Sequence, residues 1–180
     1  MAQTAPEVRL VISLLAAAQV PRAEAVGRLA ARFGPLDYLS RPLAFGQTDY
    51  YAPEMGGPLT RRLASFHNLV PAHGLAGVKR ACQGLEAELA REGRRRVNLD
   101  PGLLCADSLV LISSKRQVHR LALAEGLWAE LTLWFHHGDF HPLPWTYPDY
   151  AGEEIRRLLR GLRGRYLWQL RQQKPQGGTP

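Results

Sequence analysis

The stretch Arg94-Arg95-Arg96-Val97-Asn98-Leu99-Asp100-Pro101-Gly102 decides how the rest of the chain is read. As a strand it sends Arg94, Arg96, Asn98 and Asp100 to one side, because alternate residues of a strand share a face. Polar side chains gathered on one face of an interior strand are costly to bury without partners. They mark either a ligand site or an internal ion-pair network.

Toward the N-terminus, residues 7–16 form an apolar run that reads as a buried strand. Pro21 to Gly34 reads as a helix, with proline in its first turn and glycine just past its end, and with Val26, Leu29, Ala30 and Phe33 as its apolar stripe. Residues 37–46 read as a second strand, which Pro42 demotes to an edge or a bulge. Residues 59–67 make a third strand, Pro71 to Arg91 a second helix and 94–100 the fourth strand. The order β-α-β-β-α-β is that of a ferredoxin-like sandwich, which lays both helices on one sheet face and leaves the other free.

Toward the C-terminus, strand-like runs fall at 108–114, 118–124, 127–136 and 139–143, with Glu125-Gly126 and Gly138-Asp139 at hairpin-turn positions. This meander either extends the first sheet or packs on its open face. From Asp149 to Gln172 the pattern is helical, with Asp149 as N-cap, Glu153 and Glu154 in the first turns, and Ile155, Leu158, Leu159, Leu162, Tyr166 and Leu170 as the stripe. The expected fold is α+β: a ferredoxin-like βαββαβ half extended by an antiparallel β-meander, with a C-terminal helix. Residues 1–173 are expected to form a single domain and 174–180 a disordered tail.

A hydrophobic content of 46% over 180 residues supports a core and argues against a disordered protein. The formal charge of +7 favours anionic partners, among them an anionic small molecule, a nucleotide or RNA; a solvated basic surface is the plainer alternative. No apolar run approaches the roughly 18–20 residues of a membrane-spanning helix. Val8 to Val20 is interrupted by Arg9, Ser13 and Gln19, and no basic region precedes it, so it reads as a core strand rather than a signal peptide. A cytoplasmic location is expected. Cys82 continues the helical series Leu75, Val78, Leu85, Leu89, and two isolated cysteines make neither a disulfide framework nor a zinc site.

Several segments carry candidate chemistry. If Glu125-Gly126 is a two-residue turn, Leu121 faces Glu130 and His119 faces Thr132, which puts His119 and Glu130 on one face with Trp128 and Trp134, and Arg120 on the other. A histidine beside a carboxylate suits acid–base work or a metal; ordinary polar pairs on a half-exposed sheet give the same pattern. Ser114 and Lys115 end a strand in a manner that suits a phosphate. The long connection from Thr48 to Gly57 carries Asp49 and Glu54, candidate Mg²⁺ ligands, and Tyr50 and Tyr51; Asp49 could instead close an Asx-turn. Trp145 and Tyr147, in a proline-stiffened segment, could stack a ring or clamp the last helix. In His136-His137-Gly138-Asp139-Phe140-His141, adjacent histidines point to opposite faces, which disfavours a metal box. The arginines of the last helix could touch RNA phosphates or simply face water. The chain carries no G-x-x-x-x-G-K-[ST] loop, no G-x-G-x-x-G after a strand and no G-x-S-x-G elbow, which disfavours a P-loop NTPase, a Rossmann dehydrogenase and a standard serine hydrolase.

The pieces Thr48-Asp49-Tyr50-Tyr51, Arg95 to Gly102, His119-Arg120, Ala129-Glu130-Leu131-Thr132-Leu133 and Leu143 to Tyr150 run in order across residues 8–172. In these the chain resembles an uncharacterised bacterial family, a domain of unknown function of about this length. The resemblance implies no established activity. With no P-loop and no N-K-x-D motif, a GTP-binding role finds no support in these residues. Arg116 departs from the family, where an acidic or neutral residue is expected after Lys115, so a role resting on charge there does not carry over.

The leading expectation is a site for a phosphorylated small molecule or nucleotide. Arg96, Asn98, Lys115 and His119 would hold the anion, with Ser114, Tyr50, Trp145 and Tyr147 nearby. Asp49, Glu54, Asp100 or Glu130 would hold Mg²⁺ or act as base, His119, Glu130 and Asp100 being the candidate catalytic groups. An RNA-binding module and a non-catalytic protein with an internal ion-pair network are the alternatives.

Overall fold

The computed structural model describes residues 6–17, 20, 22–46 and 50–173. Pro21, Thr48, Asp49 and the expected tail 174–180 lie outside the described residues. The first half runs β1 (Glu7–Ala17), α1 (Arg22–Phe33), β2 (Leu36–Leu39), β3 (Leu43–Phe45), a short helix α2 (Ala52–Met55), β4 (Leu59–Pro71), α3 (Leu75–Glu88) and β5 (Val97–Leu104). The second half is the meander β6 (Ser108–Ser113), β7 (Leu121–Ala124), β8 (Leu127–His136) and β9 (Asp139–Pro142), then a one-turn helix α4 (Pro148–Ala151) and α5 (Glu153–Gln173).

All strands join one antiparallel sheet in the order β2-β4-β1-β5-β6-β8-β7, with β3 beside β4 and β9 beside β8. The segment β2-β4-β1-β5 is the ferredoxin-like order, and the meander extends it past β5. The second strand is broken: residues 40–42, with Pro42 among them, separate β2 from β3. β1 is central and buried on both faces, which is why it reads as a continuous apolar run. Leu10, Ile12, Leu14 and Ala16 face α1 and α3 through Ala25, Leu29, Cys82 and Leu85. On the other face Val11 and Leu63 meet Ile155, Leu159 and Leu162.

The face expected to be free is therefore covered by α5, whose buried residues Ile155, Leu159, Leu162 and Tyr166 recur at helical spacing. Arg9, only 2% exposed, pins α5 to the sheet. It pairs with Asp37 and donates to Ser65 Oγ and Gln169 Oε1, both at 2.9 Å. Gly34 closes α1 with φ +96°, and a Cβ there would stand 2.4 Å from Asn68 Nδ2. The last helix begins later than expected. Asp149 lies inside α4, and Gly152, in extended geometry, turns the chain into α5.

Candidate functional site

β5 and β6 pair only through Gly102, Leu103 and Leu104, and then part. Two residues explain the fork. Gly102 admits the Leu111 side chain, which would stand 2.5 Å from a Cβ there. Pro101 is the second. The amide and carbonyl of Leu99 point away from β1, to α3, and Pro101 two residues on shares that direction but has no N–H to offer β6. The open edge is satisfied by α3 instead. Glu86 Oε1 accepts from the Leu99 amide at 2.6 Å, and Lys79 Nζ donates to the Leu99 carbonyl at 2.9 Å. These two side chains lie two turns apart on α3, one above the other.

The fork encloses a cavity of about 600 Å³. One wall is a continuous polar chain. Lys79 pairs with Asp100 at 3.1 Å, and Asn98 Nδ2 donates to the other Asp100 oxygen at 2.6 Å. Arg95 Nη1 donates to Asn98 Oδ1 at 3.0 Å, and Arg95 Nη2 holds Glu54 at 2.6 Å. Arg95 keeps the Glu54 carboxyl below its ordinary range, while burial raises that of Glu86.

The opposite wall is Glu130, 3% exposed. Its Oε2 accepts from Arg120 Nε at 2.7 Å and lies 3.0 Å from His119 Nε2, and its Oε1 accepts from Thr132 Oγ1 at 3.3 Å. Deep in the cavity Arg61 lies between the rings of Phe45 and Tyr150, 4.8 and 4.9 Å from its Cζ, and pairs with Asp149. Burial pushes the Tyr150 phenol up to about 12. At the exposed mouth Lys115 Nζ sits 3.5 Å from the Tyr50 ring centre and lowers the Tyr50 phenol from its usual value.

Of the residues singled out in the sequence, Asn98, Asp100, Ser114 and Lys115 line the cavity, as do Tyr50, Glu130 and Tyr147. His119 stands behind Glu130 and does not line it; its ring stacks on Trp145 at 5.2 Å and 9°. Trp145 is likewise outside, its Nε1 donating to the Leu131 carbonyl at 2.8 Å. Glu54 is engaged by Arg95. Asp49 falls among the undescribed residues. Among the described residues no three His, Cys, Asp or Glu groups gather as a metal site.

Four expectations need correction. Arg96 does not line the cavity, and Arg95 does, because β5 begins at Val97 and strand alternation does not reach back past it. Arg120 is not on the opposite face from His119. Strand β7 starts at Leu121, so both residues lie in the preceding turn, where alternation does not apply, and both reach Glu130. Leu121 pairs with Ala129 rather than Glu130, since an irregularity between Ala122 and Ala124 shifts the register by one. Likewise the β8–β9 turn is His137-Gly138, both at positive φ, with His136 opposite Asp139.

Sequence reasoning missed Arg61, Lys79 and Arg95 as site residues and gave Asp149 only a capping role. Lys79 and Glu86 at i and i+7 beside the buried stripe of α3 were the available signal; nothing in the local sequence marks Arg61. The last helix is less open to RNA than its composition implies. Arg156 and Arg160 pair with Asp139, Arg163 donates to the Ala106 carbonyl and Arg165 to that of Asp37. No helix among the described residues is long and apolar enough to cross a membrane.

The chain belongs to the family described as Domain of unknown function (DUF4416), whose model matches residues 6–166. The resemblance read from its motifs is borne out. No curated protein and no solved structure matches the chain.

Proposed function

We propose that the chain binds a phosphorylated small molecule or nucleotide in the fork between β5 and β6, working in the reduced cytoplasm. The observation that carries this reading is a cavity of about 600 Å³ lined by Arg61, Lys79, Arg95, Lys115 and Arg120 together with tyrosine rings. That volume lies within the roughly 300–1,000 Å³ of small-molecule sites. Cations and N–H donors hold phosphate, and rings offer a stacking surface. The free thiols Cys82 and Cys105 suit a reducing compartment. Glu54 and Asp100 are already held by Arg95 and Lys79, so the reading rests on direct contacts to the anion, with Mg²⁺ an additional arm of the test. Turnover would fall to Asp100, whose side chain is 32% exposed and lines the cavity.

The test is a thermal-shift titration of the full chain with nucleotides and sugar phosphates, with and without Mg²⁺, with phosphate release followed in the same samples. The reading expects a concentration-dependent rise in Tm that Lys115→Ala weakens. A flat response to every compound contradicts it. One observation favours a second reading: the unbroken chain Lys79–Asp100–Asn98–Arg95–Glu54 also describes a structural network. Asn98→Ala that lowers stability and leaves every titration unchanged favours that reading.

A further inference from the structure

Of the five cations lining the cleft, three already point their donors into acceptors of the protein. Lys79 holds Asp100 and the Leu99 carbonyl, and Arg95 holds Glu54 and Asn98. Arg120 donates to Glu130 at 2.7 Å, Ser113 Oγ at 3.0 Å and the Lys115 carbonyl at 2.8 Å. The other two differ. Arg61 is 6% exposed, its Nη1 faces Asp149 Oδ2 in an ion pair, and its buried Nε completes no hydrogen bond. Lys115 rests on the Tyr50 ring and has no carboxylate within ion-pair distance among the described residues. A buried guanidinium N–H without an acceptor is costly, and an oxyanion placed against it relieves that cost.

We infer that the cleft takes a ligand with a single phosphoryl group, seated on Arg61 at the floor with Lys115 at the mouth, and turns away di- and triphosphates. This deepens the reading above and rests on it. A phosphomonoester carries about −1.5 to −2 charges at neutral pH; Arg61 is shared with Asp149, so Lys115 is the one lining cation, among the described residues, without a carboxylate partner, and it can offset one such group but not two or three. Each further phosphate would meet the lining carboxylates Glu86, Asp100, Glu130 and Asp149 rather than a donor, and like charges brought together in a site are penalised. Beside Lys115 stand Tyr50 and Tyr51, ring centres 5.0 Å apart, which line the same cavity and against which the rest of the ligand can pack.

The experiment is calorimetric titration of the full chain with two series, orthophosphate, pyrophosphate and tripolyphosphate, and AMP, ADP and ATP, each with and without Mg²⁺. The one-phosphate member should bind at least about tenfold more tightly than the three-phosphate member in whichever series binds. Arg61→Lys, which keeps the charge and loses the fork, should erode that preference, and Lys115→Ala on the exposed loop should weaken monophosphate binding without loss of fold. Equal or tighter binding of the triphosphates overturns the inference and leaves the broader reading standing. No heat from any of the six compounds overturns both.

Discussion

Arg120 and Glu130 form an ion pair in which neither side chain is more than 4% exposed, with Nε 2.7 Å from Oε2. It fastens the turn before β7 to β8 and makes one wall of the cleft. Removing one member of a buried pair leaves the other charge uncompensated, at a cost of about 3–5 kcal/mol. Glu130→Ala is expected to lose stability on that scale in denaturant melts. Replacing both residues together, Arg120→Met with Glu130→Leu, should cost clearly less than Glu130→Ala alone. Equal losses would show that the pair is not what holds the wall.

Gly102 sets where the fork begins. A Cβ at this position would stand 2.5 Å from Leu111 Cδ2 and 3.0 Å from the Val110 carbonyl oxygen. Gly102→Ala should therefore cost about 1–3 kcal/mol, as overpacked interiors do, and should disturb ligand binding as β6 moves. Urea unfolding and the titrations above report the two effects separately. A variant as stable as the parent would contradict the close approach.

Glu86 gives a signed pH dependence. Burial raises its folded-state value above the ordinary glutamate value of about 4.3. The folded protein thus holds this proton more tightly than the unfolded chain does. The contribution to stability is complete below the ordinary value and is lost as pH rises through the folded one. Glu86→Gln keeps an oxygen for the Leu99 amide and removes the titration. The stability of the parent relative to Glu86→Gln should fall as pH rises from the acid side toward neutrality. Parallel profiles would contradict it.

The two cysteines should separate by reactivity. Burial pushes the Cys82 thiol up to about 12, and Cys82 is fully buried among the residues between α3 and the sheet. Cys105 is half-buried. Alkylation at mildly alkaline pH should label Cys105 first and Cys82 only under unfolding conditions, as read by peptide mass spectrometry. Early labelling of Cys82 would contradict the packing of α3.

The fold was largely legible because its signals are local. The apolar run of β1, the Gly34 stop, the Pro42 break and the Glu125-Gly126 turn each carry their own physics. The site was legible where strand alternation holds, as for Asn98 and Asp100, whose polar side chains share the cavity face of β5. It failed where alternation ends. Arg96 lies just before β5 and Arg120 just before β7, and a one-residue difference in where a strand starts reassigns the face of each. Arg61 could not be found locally. Its surroundings come from Phe45, Tyr150 and Asp149, which only the folded sheet brings to it.

The most direct test of the cleft as a binding site is a crystal structure of the full chain grown with saturating AMP. The account predicts the phosphoryl group within hydrogen-bonding distance of Arg61, inside the fork between β5 and β6, with Lys115 turned toward the ligand. Ordered AMP on another surface, or a fork filled by its own ion pairs with no ligand under saturating conditions, would contradict it.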